Sequence, residues 1–158
     1  MKSKILVIGA SSFVGKHFIG KFSGEEIIAT YNNNKLKNAI RFNSLSDDLS
    51  RVIHNPEKIE SAILFLGDTK PISCINNTEL SHQLNVESII RILVHLKEWK
   101  VKPIFISTEF VFDGKKGNYC EDNRTNPIVL YGKQKLLIEE YMQTNFNEYL
   151  IFRLAKVY

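Results

Sequence analysis

Short runs of aliphatic and β-branched residues alternate along this chain with longer amphipathic stretches. Apolar runs at residues 4–8, 26–30, 39–42, 61–66, 103–107 and 149–154 read as six strands. The run at 61–66 is apolar along nearly its whole length, as a parallel sheet covered on both faces requires. Between the strands the apolar spacing turns helical. One helix follows Gly9 to Gly15 and ends near Gly24, and a second, at 46–53, is opened by Ser46 or Asp47. A third runs over about 78–99, with Leu80, Leu84, Ile89, Leu93 and Leu96 at three- and four-residue spacings. A fourth, opened by Pro127, reaches about 144. Strands alternating with helices predict a doubly wound, mostly parallel α/β sheet with helices on both faces and strand order 3-2-1-4-5-6.

Bulk properties narrow the picture without changing it. At 158 residues, 44% hydrophobic and 24% charged, the chain is one globular domain's worth. The net charge of +4 comes from scattered lysines and arginines, a solvated surface rather than a nucleic-acid stripe. Cys74 and Cys120 lack metal-ligand spacing and read as free thiols in a reducing compartment. His17, His54, His82 and His95 form no zinc pattern either, so no metal is expected. The N-terminal apolar run, Ile5 to Ile8, is too short for a signal or membrane segment, and a cytoplasmic protein is expected.

Two segments carry chemistry. Gly9-Ala-Ser-Ser12-Phe-Val-Gly15 joins the first strand to the first helix, where backbone N–H groups and the helix dipole favour a pyrophosphate. Gly9 would allow the tight turn and Gly15 close helix–strand packing, while Ser12 stands where a middle glycine is commoner. This Rossmann-like placement, not the two glycines, is what points to a dinucleotide. An NAD site expects an acid at the end of strand two. Here that strand ends Ala29-Thr30-Tyr31-Asn32, and Lys35 and Lys37 follow, so NADPH is expected over NADH.

The second segment is Tyr131-Gly132-Lys133-Gln134-Lys135. Tyrosine and lysine four apart share a helix face, and a close ammonium is expected to lower the phenol pKa from ~10. A strand-end Ser107-Thr108 pair beside it would hold the oxygen being protonated. Spacing alone is weak evidence, because Tyr31 and Lys35 repeat it by accident in an Asn-rich loop. Glu139-Glu140 reads as a solvated helix face, Trp99 with Val101 as the anchor of the long helix, and Asn85 as either a satisfied polar residue or a proton-relay member.

The whole chain resembles the extended short-chain dehydrogenase/reductase superfamily, and most closely its dTDP-4-dehydrorhamnose reductase group. The residues that carry the resemblance are the glycine segment, Asn85 in Gln83-Leu-Asn-Val, and Ile106-Ser-Thr-Glu-Phe-Val-Phe-Asp-Gly114. They continue with Tyr119-Cys-Glu121, Asn126 to Lys135 with Glu139, and Phe152-Arg153-Leu-Ala-Lys-Val-Tyr158. The resemblance implies an NAD(P)H-dependent reductase of a nucleotide-linked 4-keto-6-deoxy sugar. In it Tyr131 protonates the keto oxygen, Lys135 binds the nicotinamide ribose, and Thr108 bonds the substrate oxygen. It further implies that Gly9, Ser11, Ser12, Phe13, Val14, Gly15, Tyr31, Asn32, Asn43, Leu66, Gly67, Asp68, Asn85 and Ser107 line the cofactor.

Glu109, Gly67-Asp68 and Asn43 depart from the family pattern. Family members also continue for a substrate-gripping lobe, so residues 1–158 are expected to be the dinucleotide-binding part, from a longer reductase or a short relative, and a homodimer is possible. Two rival readings stand: an NAD-dependent nucleotide-sugar epimerase or dehydratase, and a non-catalytic dinucleotide-binding or regulatory protein.

Overall fold

The computed structural model describes residues 4–24 and 26–155. Six parallel strands form one sheet: β1 (Lys4–Ile8), β2 (Ile27–Tyr31), β3 (Ile40–Arg41), β4 (Ile59–Leu64), β5 (Lys102–Thr108) and β6 (Leu150–Leu154). Their spatial order is β3-β2-β1-β4-β5-β6, the order expected from the pattern. The last three residues of the Phe152–Tyr158 motif lie outside the described residues.

Period-two alternation sorts the strand side chains onto two faces. Leu6, Ile8, Ala62, Leu64 and Phe105 pack with Ile89, Ile92, Leu93 and Leu96 of α5 (Ser88–Glu98) and with Ile138 and Met142 of α6 (Leu130–Asn145). On the opposite face Val7, Ala10 and Ile63 pack with Phe18 and Ile19 of α1 (Phe13–Ile19). That face is open toward β6. Ile104 pairs with Leu150 and Ile106 with Phe152, and Leu150 and Phe152 are 41% and 47% exposed.

The helices depart from the sequence reading at their ends. Helix α1 stops at Ile19 rather than near Gly24, and α2 (Leu49–Val52) is a single turn capped by Asp48, not by Ser46 or Asp47. Its cap carboxylate accepts the Ser50 N–H at 2.8 Å, so the chain before it is free to turn through Asn43. The expected helix over 78–99 is interrupted. A separate α3 (Pro71–Asn76) precedes it, α4 (Thr78–His82) follows, and residues Gln83–Glu87 are wound as a π-helix before α5 begins. Asn77 divides the first two by capping α4, its side chain accepting from Leu80 N–H. The last helix starts at Leu130 instead of Pro127 because Val129 is extended, at φ −89° and ψ 149°.

Among the described residues no helix is long and apolar enough to cross a membrane.

Candidate functional site

The C-terminal ends of β1, β2 and β4 open onto a cavity of about 240 Å³. Gly9 makes the turn out of β1 at φ +79°, a left-handed conformation that favours glycine. A Cβ there would also meet the backbone of Phe65 and Leu66 at about 3.0 Å. Gly15 is bound as tightly: its Cβ would lie 2.8 Å from both the Gly9 carbonyl and Ser12 Oγ. Ser12 caps α1, its hydroxyl accepting the Gly15 N–H at 3.1 Å. The turn is thus drawn against the neighbouring strand end, with the start of the helix above it.

Of the residues expected at the cofactor, Gly9, Ser11, Ser12, Tyr31, Asn32, Leu66 and Gly67 line this cavity. Phe13, Val14, Asn43, Asp68 and Asn85 do not. Phe13 is 59% exposed and its ring leans on His17, 4.7 Å between centroids. Asn43 is occupied in the loop before α2, where its N–H donates to Asp47 at 2.7 Å and its side chain accepts from Leu45 N–H. Lys35 and Lys37 are likewise absent from the lining, which instead presents Asn32, Asn33 and Asn34.

Sequence reasoning missed Thr30. Its hydroxyl accepts the Gly9 N–H at 3.2 Å while its carbonyl accepts the Ala10 N–H at 2.9 Å. One buried residue of β2 therefore holds two successive amides of the glycine turn. A lone polar residue near the end of an apolar strand was the available signal.

The cavity suits a dinucleotide on its own evidence. Gly9, Ser11 and Ser12 of the turn line it, and the Oδ1 of Asn32, also in its lining, is buried without a protein partner. A buried acceptor without a partner is costly unless a ligand donor meets it.

The second set of residues singled out in the sequence gathers one strand further on, at the end of β5. Thr108 ends β5, and Ser107, Thr108, Tyr131 and Lys135 are all buried. Tyr131 sits edge-on to Phe110, 6.2 Å between ring centroids. Gly132 makes this approach possible: a Cβ there would lie 2.1 Å from the Phe110 carbonyl oxygen. The sequence reading gave Gly132 no role, although a glycine in a helix interior is itself a signal of close approach. Thr108 donates to Glu109 at 3.1 Å and accepts the Phe110 N–H at 3.3 Å.

Lys135 differs from expectation. Its ammonium donates to the Ile106 carbonyl at 2.9 Å and lies 5.8 Å from the centre of the Tyr131 ring. Burial pushes the lysine down to about 8, with Glu139 pulling the other way. Tyr131 is not lowered. Burial, reinforced by the negative charge of Glu109, pushes it up to about 12, while the Thr108 hydroxyl beside it pulls the other way. Desolvation of the phenolate exceeds the attraction of an ammonium that is itself buried and committed to a carbonyl. Tyr131 therefore rests as the protonated phenol at neutral pH.

Glu139 also departs from expectation. It is fully buried, not solvated. Ser107 Oγ donates to it at 2.5 Å, and the Arg153 guanidinium pairs with it through three bonds of 2.8–3.2 Å. Arg153 also donates to the Glu121 carbonyl at 2.9 Å and stacks over Phe112. One carboxylate thereby joins β5, β6 and α6, and through Arg153 it reaches the loop beyond the site. Next to that loop lies a second cavity of about 620 Å³, lined by Glu109, Phe110, Tyr119, Ile128 and Arg153 among others.

A six-stranded parallel sheet in this order, with a glycine turn after its first strand, defines the class of doubly wound, dinucleotide-type α/β folds. Residues 3–158 match the model of the RmlD substrate binding domain, and the chain belongs to that family. It is 36% identical over 81 residues to the dTDP-4-dehydrorhamnose reductase of Salmonella typhimurium, covering 51% of this chain and 27% of that one. It is 26% identical over 135 residues to methionine adenosyltransferase 2 subunit beta of Danio rerio, covering 84% and 41%. A solved structure of a hypothetical dTDP-4-dehydrorhamnose reductase from Sulfolobus tokodaii superposes with a TM-score of 0.87 at 28% identity, over 98% of this chain and 56% of that one. The chain therefore spans about half the length of such relatives, or less.

Proposed function

We propose that these residues form the dinucleotide-binding part of an NAD(P)H-dependent oxidoreductase that reduces a nucleotide-linked 4-keto-6-deoxy sugar. The observation that carries the reading is the meeting of Thr108, Tyr131 and Lys135 at the carboxyl end of the sheet, two strands from the glycine turn. Family membership and the reductases among the relatives support it.

In this reading the dinucleotide, when bound, supplies the hydride. The chain's residues do the rest. Gly9, Ser11 and Ser12 receive the pyrophosphate at the start of α1, and Gly67 with Leu66 borders the path toward the reacting end. Tyr131 holds the proton that the keto oxygen takes up, and its raised pKa keeps that proton in place until the oxygen gains charge. Thr108 turns its hydroxyl from Glu109 toward the same oxygen, and Lys135 offers its ammonium to a ribose hydroxyl and to the emerging phenolate.

NADPH over NADH rests on the absence of an acid among Tyr31 to Asn34, since Lys35 and Lys37 lie outside the cavity lining. The solved structures of lower identity include one in complex with NADP and one with UDP-glucuronic acid and NAD.

The test is to follow NADPH oxidation with a dTDP-4-keto-6-deoxy sugar, using this chain and any longer form that carries it. Turnover is expected from the longer form, and Tyr131→Phe should lower its kcat by about 10²–10⁴-fold. No oxidation across several keto sugars would remove the reading, and an unaffected Tyr131→Phe would move the proton elsewhere.

A second reading has its own observation: similarity over 84% of the chain to a protein named as a subunit of a methionine adenosyltransferase. It describes a dinucleotide-binding regulatory protein, which would bind the same cofactor and turn over nothing.

A further inference from the structure

Behind the Tyr131 helix lies a buried polar chain that neither cavity contains. Gln134 is 1% exposed, unusual for a neutral amide one residue from a proposed catalytic lysine. Its Nε2 donates to Ser81 Oγ at 2.8 Å, and its Oε1 accepts from Asn85 Nδ2 at 2.8 Å. Asn85 is fully buried at the centre of the π-wound segment, and such bulges recur at functional sites. Its side chain grips one peptide from both sides: Oδ1 accepts the Asp68 N–H at 2.7 Å, and Nδ2 donates to the Asp68 carbonyl at 3.0 Å. The residue before that peptide, Gly67, is held at φ +131°. A Cβ on it would stand 2.9 Å from Asn85 Oδ1 and 3.9 Å from Lys135 Nζ.

We infer that Gln134 is a positioning residue: through Asn85 it fixes the Gly67–Asp68 turn to the helix that carries Tyr131 and Lys135. The Asp68 N–H and carbonyl already fix which end of the Asn85 amide faces which. Gln134 adds the tie from that amide to α6. Its carbonyl oxygen can be met only by the Asn85 NH₂ end, and its own NH₂ is committed to Ser81. The place of Asn85, and with it the seat of the turn, is thereby tied to the helix that carries Tyr131 and Lys135. The Asn85 acceptor is taken by the Asp68 N–H, and its NH₂ faces the Asp68 carbonyl, Gln134 Oε1 and Cys74 Sγ, so its side chain holds a turn. The inference rests on the proposal that the cavity beside Gly67 takes a dinucleotide.

The test compares Gln134→Met, which keeps volume and loses both bonds, with Ser81→Ala, which disturbs the same network but spares the bond to Asn85. Hydrogen exchange at the Asp68 amide is the reporter. Its protection should fall about tenfold in Gln134→Met and stay within about twofold in Ser81→Ala. The Kd for NADPH should weaken by about three- to tenfold in Gln134→Met alone. Equal loss of protection in the two variants, or none in either, would overturn the inference, since a merely structural role moves global stability and not this amide in particular.

A wild-type measurement stands independently of how the variants fold. The Gln134 side-chain amide lies outside the cavity, yet its NMR signal should shift with that of Asp68 as NADPH is added, and an unmoved Gln134 signal would count against the coupling. If the wild-type chain binds no dinucleotide, the proposed function fails, while Asp68 protection still decides the role of Gln134.

Discussion

Lys135 and Tyr131 share a helix face, yet each is governed more by its burial than by the other. The lysine is a cation enclosed among Phe105, the Ile106 carbonyl and the Tyr131 ring. Below about pH 8 the folded chain must hold that buried charge, whereas an unfolded lysine keeps its proton to ~10.4. Between those values the unfolded state binds more protons, so this group's contribution to stability rises with pH. The urea midpoint of the wild type should therefore gain on that of Lys135→Met between about pH 7.5 and 9.5, below the region where Tyr131 titrates. A constant or shrinking difference would mean that the lysine is not desolvated. The pairing of Tyr131 with Lys135 was legible from spacing and strand context. The sense of the Tyr131 shift was not, because desolvation is set by tertiary packing that the spacing cannot express. Glu139 failed for the same reason: its partners, Ser107 and Arg153, lie 32 and 14 residues away.

At the scale of elements, the site depends on how closely α6 approaches the short turn Glu109–Val111 that follows β5. Gly132 is the contact point, and no side chain fits there without moving Phe110. Gly132→Ala, normally a gain in helix propensity, should instead destabilise by about 1–3 kcal/mol through overpacking. Chemical denaturation reads the stability. A neutral or stabilising result would show that α6 can slide and that the approach is loose. The six strands and the turn after β1 were legible because parallel, doubly covered strands leave near-continuous apolar runs. The short α3 and the π-wound segment were not, since the mixed three- and four-residue apolar spacing of the 78–99 helix continues unbroken through the latter. The π segment is explained only once Asn85 is seen holding the Asp68 peptide.

The whole molecule is a sheet whose carboxyl edge carries two adjoining sites, one shaped by missing side chains and one by buried polar ones. Its second face is covered by α1 over β1 and left open over β6, where Leu150 and Phe152 stand exposed. The chain accounts for 56% of the length of the Sulfolobus tokodaii structure it superposes on. On the proposed reading, dinucleotide binding is the property residues 1–158 should show by themselves. The most direct measurement is calorimetric titration of the 158-residue chain with NADPH and with NADH. Saturable binding at one site is predicted, tighter for NADPH and abolished by Gly15→Val, whose side chain would clash with the Gly9 carbonyl and Ser12 Oγ and force the glycine turn apart. Absence of binding by either dinucleotide, or binding that survives Gly15→Val unchanged, would contradict the account.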